Sequence, residues 1–186
     1  MTKSQEYIQL KAFARQDGLI MGLLWSMAFA CFVGSVGSTS SSSAMLSLLF
    51  QLTLIASPFV VARMVRRYRD NIIGGTISFR RGYGYSMMVF LDATLILAII
   101  VWAYIEFLDN GRLMNGIMQT FHAEEMQPML QAYGLKQTEI DSELQALSET
   151  RTVDLLFSLI WTNLIVGFIV SWFVALVSKR TRRQQQ

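Results

Sequence analysis

Asp92 is the residue whose type and position most invite chemistry. It interrupts an apolar stretch, Tyr83–Ile105, nine residues past Tyr83, hence about 13 Å along a helix and near the middle of a span. A charge there costs at least ~2.5 kcal/mol on insertion scales, so the carboxyl group must face protein or keep its proton. Gln51, Thr53 and Asn163 are the intramembrane polar partners on offer, with Asn163 nearer the outer half. Three readings stand side by side: a proton or cation site, a contact gluing a partner helix, and a neutral acid hydrogen-bonded inside the bundle. No Lys or Arg falls within the apolar stretches, which weakens a coupled transporter.

A second group is basic. Arg63, Arg66, Arg67, Arg69, Arg80 and Arg81 flank Gly74-Gly75. Guanidinium groups bind phosphate bidentately, so this set would suit anionic phospholipid head groups or free phosphate. Ordinary topology-setting charge is the plainer reading and takes precedence. Gly74-Gly75 is no phosphate-cradling loop, because no Gly-Lys-Ser/Thr follows. Gly167, Ser171 and Ala175 recur every four residues, as do Gly18 and Gly22. Such small-residue faces let helices approach closely, within one chain in preference to across a dimer seam.

Other chemistry finds little footing. His122 is the one histidine and Cys31 the one cysteine, so neither an intrachain disulfide nor a Cys-based metal site is possible. Met114, Met118, Met126 and Met129 fit apolar helix faces better than a soft-metal site. No Ser-His-Asp set falls in a useful place, and Glu124 and Glu125, adjacent in sequence, diverge on a helix. We therefore expect no enzyme, no metal and no cofactor. The net charge of +3 raises nucleic acid as a partner, but the basic residues are juxtamembrane and attraction to an anionic leaflet accounts for them.

The elements that must position these residues follow from hydropathy. Four apolar stretches, about 18–37, 44–62, 83–105 and 153–177, reach or approach the ~20 residues that cross a ~30 Å hydrocarbon core. With 53% hydrophobic residues in a chain of 186, residues 1–186 form one membrane domain with no room for a second core. Thirteen of sixteen Lys and Arg fall on one side of an alternating threading. The other side carries Arg112, Lys136 and Arg151 against nine acidic residues between Glu106 and Asp154. The positive-inside rule then places both termini in the cytoplasm and the 106–152 segment outside. The first stretch is long for a signal sequence and is expected to remain as a span.

Local signals add detail. Thr2–Asp17 is an amphipathic lead-in that lies at the interface or extends the first helix. Pro58 should bend the second helix, Ser78 caps the third, and the glycines allow a tight reversal between them. The 106–152 segment should hold two short amphipathic helices. One carries Leu113, Met114, Ile117, Met118 and Phe121; the other opens on a Thr138–Asp141 capping box.

The chain also resembles a known family. Arg69-Asp70, Gly74-Gly75, Ile77-Ser78-Phe79, Gly82-Tyr83, Tyr133-Gly134-Leu135, Thr138-Glu139-Ile140, Gly167 to Ser171 and Ala175-Leu176-Val177 are similar to the bacterial membrane family known as domain of unknown function 4199. Met126-Gln127-Pro128 departs from the acidic residue expected before that proline. The resemblance implies four helices in an inner membrane, no established activity, and an association with membrane-anchored glycosyltransferases.

The sequence thus reads as an all-α, four-span protein of a bacterial inner membrane. Its expected role is a non-enzymatic accessory or scaffold subunit touching a lipid-linked glycosyltransferase or another membrane protein. The alternative is a small oligomeric ion or solute carrier that uses Asp92.

Overall fold

Each apolar stretch forms a helix longer than itself, because polar flanks that can stay helical do so once the span has nucleated them. The computed structural model describes residues 3–37, 40–124 and 126–180. The helices are α1 (Lys3–Ser35), α2 (Ser41–Asn71), α3 (Phe79–Phe107), α4 (Arg112–His122), α5 (Gln127–Ala132), α6 (Gln137–Glu149) and α7 (Thr152–Ser178). Among these, α1, α2, α3 and α7 are long and apolar enough to cross a membrane, so this is a multi-pass membrane protein in contact with a lipid bilayer. The amphipathic lead-in is the first part of α1, without a break. Pro58 sits inside α2, which continues through it.

The turns are built as their residues require. Ser40 and Ser78 cap α2 and α3, accepting from the backbone N–H of Ser43 at 3.3 Å and of Arg81 at 3.4 Å. Gly74 and Gly75 take φ of 75° and 85° between α2 and α3, a conformation that side-chain-bearing residues resist. The two helices expected in the 106–152 segment are present as α4 and α6, with α5 added between them. The start of α6 needs correction. Its cap position is Lys136, without a side-chain cap bond, and Gln137 instead donates to Asp141 at 3.2 Å. Thr138 therefore lies inside the helix, and the capping box does not form.

In the bundle α3 packs against both α1 and α7, while α2 lies mainly on α1 and more lightly on α7. The two halves of the bundle differ. In the half that holds the arginines, small residues bring helices together: Gly18 and Gly22 of α1 face Asp92 and Ile96, and Gly167 of α7 faces Phe90. Gly82 of α3 faces Ala175 in the same way. Met21, Val61, Val65, Tyr85, Val89 and Ala93 fill the core between them. Ser57, Ser86 and Thr94 are buried there and satisfy their hydroxyls on the carbonyl four residues back. Trp25 closes this half, donating to Ser57 Oγ at 2.8 Å and lying 5.9 Å from the Phe90 ring. Beyond Trp25 large rings meet between the spans, Phe29 of α1 lying 5.5 Å from Tyr104 of α3 and Phe32 of α1 lying 5.1 Å from Phe50 of α2. The acidic segment covers that end: Gly116 of α4 packs on Val36 and Gly37 just past α1, and His122 pairs with Asp141 of α6 at 3.1 Å.

Candidate functional site

The basic end is assembled by two of the six arginines. Arg69 Nη1 donates to the carbonyl of Ser178 at 2.8 Å while its other nitrogens hold Asp70. That carbonyl is one of the last of α7 and has no partner within the helix, so the guanidinium satisfies it and complements the helix dipole. Arg81 pairs with Glu6, tying α3 to the start of α1. Ile77 and Arg180 exchange backbone hydrogen bonds, both 3.1 Å, and so fasten the end of α7 to the turn before α3. The start of α1, the end of α2, the start of α3 and the end of α7 thus share one end of the molecule.

The remaining arginines have no ion pair among the described residues. Arg63 and Arg66, one helical turn apart on α2, line a groove of about 810 Å³ between α2 and α7. Pro58, Phe59, Phe173, Val174 and Val177 make its apolar walls. Arg67 points to the other side of α2, into a pocket of about 170 Å³ beside Asp17, Tyr68 and Tyr85. There Tyr85 donates to Asp17, and its ring stacks on Tyr68 with centroids 4.8 Å apart. Arg80 is exposed. An apolar trough with two guanidiniums at one end, neither in an ion pair among the described residues, is chemically suited to an amphiphile bearing an anionic head.

Asp92 lies elsewhere, against Gly18 of α1. Its Oδ2 is enclosed and accepts no hydrogen bond from the described residues. The charge that bears on it is that of Arg15, three residues before Gly18. None of the three polar residues offered as partners meets it. Gln51 donates to Ser47 at 3.2 Å on an exposed face of α2, Thr53 to the carbonyl of Leu49, and Asn163 to the carbonyl of Leu159. Gly167, Ser171 and Ala175 do share one face, and it is turned toward α3: Gly167 meets Phe90, Ala175 meets Gly82, and Ser171 is fully buried.

Sequence reasoning missed a chamber of about 920 Å³ in the acidic half, with walls from all four spans and a roof from α4 and α6. The sequence signal for it was the run of Trp25, Phe29 and Phe32 on α1, a helix face too bulky for the close contact that Gly18 and Gly22 allow.

Comparison with known proteins fits this architecture. A family model described as protein of unknown function (DUF4199) matches residues 16–180, a range that takes in α2 to α7 and most of α1, and the chain belongs to that family. No curated protein and no solved structure matches it.

Proposed function

We propose that this DUF4199 protein is a non-enzymatic accessory subunit of a bacterial inner membrane that holds anionic phospholipid at its basic end, with both termini in the cytoplasm. The observation that carries the reading is the pair Arg63 and Arg66. They take no part in the internal latches and stand at the rim of an apolar groove. Head-group phosphate then meets two guanidiniums while an acyl chain lies along Phe59 and Phe173. A bound lipid in that position sits between the bundle and whatever packs on α2 and α7. A membrane-anchored glycosyltransferase is the partner that the family resemblance implies.

The test is lipid selectivity in nanodiscs. Wild-type protein should enrich phosphatidylglycerol over phosphatidylcholine, and Arg63→Gln with Arg66→Gln should lose that enrichment, at up to about 1 kcal/mol per charge. Arg80→Gln serves as the control for exposed charge. Equal enrichment by wild type and the double variant would reduce the pair to topology-setting residues. Mild-detergent purification tests the accessory role itself, with a stoichiometric second membrane protein as the supporting result.

A second reading, a small oligomeric carrier, draws on one observation: the enclosed, unpartnered Oδ2 of Asp92. A carboxylate oxygen without a donor is where a proton or cation would bind.

A further inference from the structure

We propose that the chamber beneath α4 and α6 is a binding site for an uncharged lipid, whose hydrocarbon chain fills it and whose oxygen function is hydrogen-bonded to Asn163. The site is separate from the α2–α7 groove and stands or falls independently of it.

The walls say what fills the space. Phe29 and Phe32 of α1, Phe50 of α2, and Leu97 and Val101 of α3 face it. Leu155 and Leu159 of α7 continue the surface, and Ile117, Met118 and Leu147 close it from above. Water needs several polar partners to occupy a cavity, and most of this lining is apolar. The volume falls in the range of ligand sites, about 300–1,000 Å³. The surrounding medium is lipid, so hydrocarbon is the occupant at hand.

The polar groups say which lipid. Asn163 lies on the chamber wall, eleven residues into α7 from Thr152. Its Nδ2 spends one N–H on the carbonyl of Leu159 at 3.0 Å. An amide has two N–H donors and a carbonyl acceptor, so a donor and the acceptor stay open. They match an ester carbonyl, a ring carbonyl or an alcohol. The other polar lining residues are Asn115, Ser148, Thr150 and Thr152, all uncharged, and Asp109. The Asp109 carboxylate already accepts from the backbone N–H of Leu113 at 2.8 Å. Among the described residues no Lys or Arg lines the chamber, whereas two line the groove at the opposite end. A phosphate head would enter without a counter-charge beside an acidic segment, and that disfavours it.

The experiment uses the full chain purified from its own membrane in mild detergent, with bound lipid extracted and quantified by mass spectrometry. Wild type should carry about one neutral, oxygen-bearing lipid per chain. Leu97→Trp, which fills part of the chamber, should lower that about tenfold with helicity unchanged. Ala28→Met, which fills part of the chamber from α1, is the second variant should Leu97→Trp fail to fold. Asn163→Leu keeps the apolar walls and should release the oxygen-bearing lipid in favour of plain acyl chains or detergent. The extract itself separates acylglycerols from isoprenoid alcohols and quinones, each of which supports the site. Neutral lipid absent from wild type, retained equally by both filling variants, or replaced by a phosphate-bearing lipid that those variants release would overturn it.

Discussion

Gly18 of α1 lies so close to Asp92 of α3 that a Cβ at position 18 would stand 2.7 Å from the Cβ of Asp92. One turn on, a Cβ at Gly22 would stand 2.8 Å from the Cβ of Ile96. The acid is therefore held in the seam between two spans by the absence of a side chain opposite it. A methyl group has no room in either place without moving a helix. Gly18→Ala and Gly22→Ala should each destabilise the detergent-solubilised protein by about 1–3 kcal/mol, the usual cost of overpacking. Melting of both variants at the wild-type temperature would show that α1 and α3 are not pressed together.

The Arg69–Ser178 contact sets a second expectation. The Arg69 side chain is largely enclosed, at 12% exposure, whereas Arg81 is 49% exposed. Arg69→Gln leaves the last carbonyls of α7 without a charged donor and should cost about 1.5 kcal/mol. Arg81→Gln breaks an exposed pair and should change stability by less than about 0.5 kcal/mol. Thermal melting of the two variants side by side checks the ranking, and the reverse order would contradict the latch.

Topology gives a third. A reporter fused after Gln186 should read as cytoplasmic and one inserted near Gln137 as external, because thirteen basic residues stand against three across the threading. An external reading at the C-terminus would invert the molecule and place the arginine groove in the wrong leaflet.

Much of this architecture was legible in the sequence where a single residue or run decides it. Hydropathy located four spans because length and apolarity suffice for that. Ser78 capped α3 and Gly74-Gly75 made the reversal because each acts through its own backbone. What depends on rotation about a helix axis was not legible. Depth along the bilayer offered Gln51, Thr53 and Asn163 to Asp92, yet Gln51 faces away beside Ser47 and Asn163 faces the chamber. The arginines formed one set in sequence, and the fold divides them: Arg69 and Arg81 into latches, Arg63 and Arg66 into a groove, Arg67 toward Asp17. The chamber arises from the summed bulk of side chains on different helices, a quantity that no one segment holds.

Asp92 yields the sharpest expectation, because its surroundings separate the roles open to it. A structural acid would donate or accept a hydrogen bond, and Asp92→Leu would then lose about 0.6–2 kcal/mol, the scale of interhelical bonds in membranes. Here Oδ2 has no partner among the described residues, and an unsatisfied buried oxygen itself costs about 1–3 kcal/mol. Leu matches the shape of Asp at the γ position, so Asp92→Leu should melt at or above the wild-type temperature. Asp92→Asn should fold equally well. If the residue serves as a proton or cation site, both variants should lose ion flux in liposomes, since neither can cycle a charge. If it glues a partner helix, Leu should release that partner in purification and leave the monomer intact. The measurements are thermal stability, flux and co-purification on the same two variants. A marked loss of stability in Asp92→Leu, with flux and partner unchanged, would mean that the carboxyl group is bonded after all and that its role is to hold α1 against α3.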